Sequence, residues 1–313
     1  MIDTLTEFAE EVRSGLNKTE KTLPSRYFYD EIGDELFVKI MDSPEYYLTD
    51  SEMDIFAQRT DELIKLLAFS NKFDLIELGA GDGSKTVHLL KALPKSSFKY
   101  IPVDISNNAL ELLHKSMTAA MPDMEIEIRN LEYFEALKIT DTDNPKLVLF
   151  LGSSIGNMLD DRARDFLSQL ANCLRKGDKV LLGIDLKKDP SIVLPAYNDA
   201  QGNTRDFNLN LLRRINNDLD ANFDLDQFEH APRYDEERGI ALSYLRSKVS
   251  QSVTINALGC SFSFAEGEVI HTEISRKYDR PLVETLIKDT GMNIQAWLTD
   301  TKDYFADVIL EKH

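Results

Sequence analysis

Three glycines at alternate positions, Gly79, Gly81 and Gly83, follow an acid, Glu77, and separate an apolar run from an amphipathic one. Glycine lets the backbone turn sharply and approach a ligand with no Cβ in the way. The run Phe73–Leu78 reads as a short buried parallel strand. Ser84 and Lys85 open a helix with Val87, Leu89, Leu90 and Leu93 on its apolar side, stopped by Pro94. A strand, a glycine turn and a helix N-terminus make a nucleotide site at the carboxyl edge of an α/β sheet. A dehydrogenase fingerprint, Gly-x-Gly-x-x-Gly, would put its third glycine at 84, where this chain has Ser84. A second strand over 98–103 leads into Asp104, about 20 residues past the glycines, where a ribose diol needs a bidentate acceptor.

Other residues could handle a small polar substrate. In His271-Thr272-Glu273-Ile274-Ser275, strand alternation puts His271, Glu273 and Ser275 on one face. An acid and a hydroxyl two residues apart can grip both nitrogens of a small heterocycle. Pattern alone describes a solvated strand face at least as well. Asn157 follows a strand and a Gly-Ser turn, at the edge where substrates of open sheets bind, although a loop Asn also serves as a turn or cap residue. Tyr27, Tyr29, Tyr46, Tyr47 and Tyr197 offer phenolic hydrogen bonds to a carboxylate or amine. The five histidines show no metal-ligand spacing, so no metal is expected.

Alternating elements must position these groups. An amphipathic helix is expected over 2–16, with Leu5, Phe8, Val12 and Leu16 on one stripe. Another runs through Leu36, Phe37 and Ile40, and Thr49 or Asp50 caps one over 51–66. Helices near 107–120 and 160–175 separate strands expected at 125–129, 146–151 and 179–184. That alternation implies right-handed crossovers and a parallel sheet. The pattern then breaks into a polar helical stretch over 188–232 and antiparallel alternation over 240–278. The tail reads helix, strand, strand, which completes a seven-stranded sheet. The sheet domain therefore comprises 51–187 and 277–313, interrupted by a second lobe of 1–50 and 188–276.

The chain has 313 residues, 42% hydrophobic and 29% charged, the make-up of an ordinary globular protein. Its formal net charge of −18 repels phosphate backbones, so no nucleic-acid partner is expected. No apolar run approaches the roughly 20 residues of a membrane span, and the N-terminus lacks the basic and apolar regions of a signal peptide. Cys173 and Cys260 make no disulfide framework, and a cytoplasmic monomer is expected.

The acid-x-Gly-x-Gly-x-Gly spelling from Glu77 is similar to that of class I methyltransferases, which use S-adenosylmethionine. Further motifs are Leu23-Pro24-x-x-x-Phe28-Tyr29-Asp30, Leu36-Phe37, Pro44-Glu45-Tyr46-Tyr47 and Phe150-Leu151-Gly152-Ser153-x-Ile155-Gly156-Asn157. Ala196-Tyr197, Phe207-Asn208 and Thr272-Glu273-x-Ser275 complete the set. Together they resemble the histidine-specific Nα-methyltransferases, which make the betaine hercynine for ergothioneine synthesis. The resemblance implies an α/β fold, a class I methyltransferase Rossmann-like sheet with an interleaved α+β substrate-binding lobe. It also implies a small amino-acid substrate and three successive methyl transfers from S-adenosylmethionine.

Roles carry over by position. Tyr46 and Asn157 resemble the orienters of the substrate amine, and Tyr29 and Tyr197 the tyrosines around its carboxylate and amine. Glu273 and Ser275 resemble the pair on the imidazole, with Gly152 and Ser243 as further substrate contacts. Glu77, Gly79, Gly81, Lys85 and Asp104 match cofactor-site positions. Asn130 stands where the family usually has an Asp that accepts from the adenine amine, and its amide oxygen can accept the same bond. Ser243 stands at a usual methionine and Tyr244 at a usual tryptophan, which admits tryptophan or another amine as an alternative substrate. Burying Glu273 beside an indole edge would cost several kcal/mol and opposes that alternative. A non-catalytic sensor of S-adenosylmethionine or an amino acid is opposed by the intact glycine turn, Asp104 and second-lobe motifs.

Overall fold

The computed structural model describes residues 4–67, 69, 71–93, 97–137 and 143–313. Pro94, the expected helix stop, and residues 2 and 3 of the expected first helix lie outside the described residues, as does the Leu5 side chain. The chain opens with α1 (Thr4–Leu16), β1 (Lys21–Thr22), α2 (Glu31–Met41) and α3 (Tyr47–Leu67). Next come β2 (Phe73–Leu78), α4 (Thr86–Ala92), β3 (Phe98–Asp104), α5 (Asn107–Ala120), β4 (Arg129–Asn130) and α6 (Tyr133–Ala136). β5 (Lys146–Phe150), α7 (Asp160–Cys173), β6 (Lys179–Asp185), α8 (Pro190–Ala196) and α9 (Asn203–Leu219) follow. The remainder is β7 (Phe228–His230), β8 (Arg233–Asp235), β9 (Ile240–Ser247), β10 (Gln251–Ile255), β11 (Cys260–Phe264) and β12 (Val269–Arg276). α10 (Arg280–Leu286), β13 (Met292–Thr299) and β14 (Phe305–Lys312) close the chain.

Two compact units result, Tyr47–Lys188 with Arg276–His313, and Met1–Tyr46 with Asp189–Ser275. The first is built on a seven-stranded sheet in the order β13-β14-β6-β5-β2-β3-β4. β2, β3, β4, β5 and β6 pair in parallel, while β14 is antiparallel to both neighbours. Every residue of β2, β5 and β6 is buried, because helices cover both faces. Alternation divides the core accordingly: Leu75, Leu147, Leu149 and Leu181 pack on one face, and Ile76, Val148, Phe150 and Leu182 on the other.

The second unit holds a sheet in the order β1-β12-β9-β7, with β8 also paired to β9. Ile270 and Leu245 pack against Phe207, Leu211, Leu212 and Ile215 of α9, and Phe8, Val12 and Leu16 of α1 join the same core. Asp30 caps α2 by accepting from Gly33 N at 2.7 Å, and also accepts from Asn210 on α9 at 2.8 Å. Gly33 is obligatory because a Cβ there would collide with the Phe28 carbonyl oxygen.

Several boundaries differ from the sequence expectation. α3 begins at Tyr47, so Thr49 and Asp50 lie inside its first turns and do not cap it, and the units divide at Tyr46/Tyr47. The strand expected over 125–129 reduces to Arg129–Asn130 plus a single bridge between Tyr100 and Ile126. It sits at the sheet edge and carries Glu125, Glu127 and Arg129, too little apolar surface to hold a longer ladder. The polar helical stretch ends at Leu219, and β10 and β11 form their own hairpin.

Candidate active site

Gly79, Gly81 and Gly83 all take positive φ, at 73°, 54° and 71°. Their reasons differ. A Cβ at Gly79 would lie 2.8 Å from the Tyr133 hydroxyl and one at Gly83 2.7 Å from Met117 Cε, whereas one at Gly81 meets nothing within 4 Å. Gly79 and Gly83 therefore serve close packing, and Gly81 is the glycine whose backbone borders open space. Gly81 N donates to Asp104 Oδ2 at 2.9 Å, and Ser106 N to Asp104 Oδ1 at 2.9 Å. A carboxylate oxygen accepts more than one bond, so anchoring the turn is compatible with accepting a ribose hydroxyl. Asn130 donates through Nδ2 to the carbonyls of Asp104 and Ile105, both at 2.9 Å. With two carbonyls as partners the amide nitrogen is fixed, and the amide oxygen is the acceptor that Asn130 can offer.

Glu77 is buried and bonded by the Thr86 and Tyr100 hydroxyls. It braces strand, turn and helix from inside the fold. Burial raises its pKa to about 7, against the two hydroxyl donors and the nearby Lys85. Lys85 precedes α4 and pairs with the buried Glu52 at 2.5 Å. Burial pulls the Lys85 pKa down, but the neighbouring acids, Glu52 foremost, outweigh it and the net shift is upward. Gly152, at φ 66°, follows β5 and donates from N to Glu52 Oε1 at 2.8 Å. The next turn carries Asn157 to the surface. Ser154 Oγ holds the Leu151 carbonyl at 2.9 Å, and Tyr278 OH holds that of Ile155 at 3.1 Å.

At the end of β6, Asp185 is fully buried and pairs with Lys277, also fully buried, at 2.6 Å. It also pairs with Lys188 and accepts from Tyr47 OH at 2.8 Å, while its own N–H donates to Ser153 Oγ at 3.0 Å. This network fixes the left-handed Ser153, φ 57°, immediately after Gly152.

In the unit holding β12, alternation separates two faces as expected. Thr272, beside the core residue Ile270, donates to Asn208 Oδ1 on α9 at 2.8 Å. Glu273 and Ser275 take the opposite parity along the strand. Ser275 is buried, and its Oγ accepts from Tyr197 OH at 2.7 Å. Ser243, 1% exposed, places its Oγ 3.5 Å from Glu273 Oε2. Tyr29 and Tyr46 each stand edge-on to Phe37, with ring centroids 5.7 and 6.4 Å away, and Tyr29 also meets Phe207 at 5.7 Å. The unit thus collects a hydroxyl-buttressed acid and a tyrosine-lined aromatic cluster.

A family model described as histidine-specific methyltransferase, SAM-dependent, matches residues 8–312. The chain belongs to this family. A histidine N-alpha-methyltransferase of Mycolicibacterium smegmatis is 37% identical over 93% of this chain and 90% of its own length. That of Mycobacterium tuberculosis is 36% identical over the same shares. Ergothioneine biosynthesis protein 1 of Schizosaccharomyces pombe is 30% identical over 97% of this chain, which spans 40% of that longer protein. The matched span covers both compact units.

Sequence reasoning missed the residues that hold the site's framework: Glu52, Tyr133, Asp185 and Lys277. Glu52 lies in the polar stretch Asp50-Ser51-Glu52-Met53-Asp54, indistinguishable from a solvated helix face. Asp185 closes a strand and Lys277 follows one, but nothing in the spacing joins positions 92 residues apart.

Proposed function

We propose that this chain methylates the α-amine of L-histidine three times with S-adenosylmethionine, forming hercynine for ergothioneine biosynthesis. The observation that carries this reading is the Glu273, Ser275 and Tyr197 arrangement within a chain of the histidine-specific family. A neutral imidazole has one donor and one acceptor nitrogen. Glu273 accepts from the first. With Tyr197 donating to its Oγ, the Ser275 hydroxyl is turned to donate to the second.

The residues around the glycine turn fit S-adenosylmethionine: an open backbone at Gly81, the Asp104 carboxylate for ribose and the Asn130 amide oxygen for adenine. When bound, it supplies a methyl group on a positively charged sulfur, already activated for in-line displacement. The protein's remaining task is positioning. Tyr29 and Tyr46 orient the substrate amine and take up its hydrogen bonds, and Asn157 accepts from the amine or donates to the carboxylate. The amine reacts in its neutral form, deprotonated on entry or through a water on Tyr29 and Tyr46, since an α-amine has a pKa of about 8.

Replacement of Glu273 by alanine tests the imidazole contact. A hydrogen bond to a charged group is worth about 1.5–3 kcal/mol, so the histidine KM should rise roughly ten- to a hundred-fold. Calorimetric binding of S-adenosylhomocysteine should stay within about twofold. Unchanged histidine turnover in Glu273→Ala would remove the assignment.

A further inference from the structure

Glu52 is the one α3 carboxylate described as fully buried, and its partners lie far along the chain. Its Oε2 meets Lys85 Nζ at 2.5 Å, at the close of the glycine turn. Both its oxygens accept from Gly152 N, at 2.8 and 3.1 Å, at the start of the turn after β5. Room for the carboxylate comes from Gly183 in the middle of β6, where a Cβ would collide with Glu52 Oε1. Gly183 pairs in register with Asp307 of β14, another fully buried acid, whose two carboxylate oxygens have no hydrogen-bond partner among the described residues. Burial and the negative charge of Glu52 push Asp307 well above the ordinary carboxylate range. Glu52 is the acid in direct ion-pair contact with Lys85.

The two segments so joined lie at the carboxyl ends of β2 and β5, the edge where open α/β sheets bind ligands. Gly183 as a cleared space, Glu52 as a two-oxygen acceptor and Lys85 as its counter-charge form one built device. A buried ion pair is seldom the most stable way to fill such a space, so its presence asks for a role beyond stability.

We propose that Glu52 is a positioning residue for the methyl donor: its charge holds the Lys85 ammonium and the Gly152 amide in the places where the donor's amino-acid end is recognised. The donor's carboxylate is the group that Lys85 would meet, and Glu52 sets where it meets it. The inference rests on the reading that the glycine turn takes S-adenosylmethionine, and the test separates the two.

Calorimetry with S-adenosylhomocysteine on the full chain is the measurement, for wild type, Glu52→Gln, Lys85→Met and the double variant. The glutamine amide keeps one acceptor oxygen for Gly152 N and removes the charge. The dissociation constant should rise about tenfold or more for Glu52→Gln when Lys85 is present. In the Lys85→Met background the same change should alter it by less than about twofold, because Glu52 acts through Lys85. A residue that merely supports the fold would lower the melting temperature and change affinity equally in both backgrounds, or in neither, and either result overturns the proposal. If Glu52→Gln does not fold by circular dichroism, Gly183→Ala displaces the carboxylate without deleting it. Weakened binding in that variant supports the proposal and unchanged binding overturns it. Wild type that binds no S-adenosylhomocysteine would overturn the functional reading itself, and this inference with it.

Discussion

Glu77 carries two meanings at once: it is the acid that introduces the glycine turn, and it is a buried carboxyl with a pKa raised to about 7 by loss of solvent. The folded chain keeps this proton where the unfolded chain, with an ordinary glutamate, releases it near pH 4.5. The folded state binds more protons across that interval, so the contribution of Glu77 to stability is fully present below about 4.5 and is lost as pH rises toward 7, by roughly 3 kcal/mol. Glu77→Gln should flatten that part of the profile, as measured by denaturant unfolding at a series of pH values. An unchanged slope would place the titrating group elsewhere. At this scale the sequence offered candidates where a motif named the residue, as for Asp104, Glu273 and Ser275. It was silent where a side chain acts through a partner far along the chain. Nothing local distinguishes Glu52 from Asp50 or Asp54, since its burial depends on a glycine 131 positions later. The glycines themselves divide in a way that spacing could not show, two for packing and Gly81 for the open side.

Among the elements, buried strands were the most legible, because continuous apolar runs such as those of β5 and β6 have few alternatives. Helix starts were less so. α3 begins four residues before its expected position, and Tyr47 at its start donates to the distant Asp185. β4 is short because it is a charged edge. The Asp185 network ties β6 to Lys277 just past β12, to Tyr47 at the start of α3 and to Ser153 after β5. Asp185→Ala would leave Lys277 buried without this partner, a loss of about 3–5 kcal/mol. Chemical denaturation should show that loss with little change in its slope. A loss below about 1 kcal/mol would mean that Lys277 re-pairs and that the network is not what fixes these elements.

For the molecule as a whole, the fold class and the interruption of the sheet unit by a long insertion were readable from the order of alternating and non-alternating segments. Function was readable because motifs recur in both units, from Phe28-Tyr29-Asp30 to Thr272-Glu273-x-Ser275. Pattern alone left the β12 face open between solvated surface and binding surface. The burial of Ser275, bonded by Tyr197, argues against a fully solvated face. Among the described residues no helix is long and apolar enough to cross a membrane. Ser243, where the resemblance expects a methionine, is 1% exposed with its Oγ 3.5 Å from Glu273 Oε2. The measurement that tests the central claim is incubation of the protein with S-adenosylmethionine and each common amino acid, with product masses followed over time. A gain of three methyl groups on histidine alone is the predicted result. Methylation of tryptophan or another amine with histidine left unchanged would contradict it.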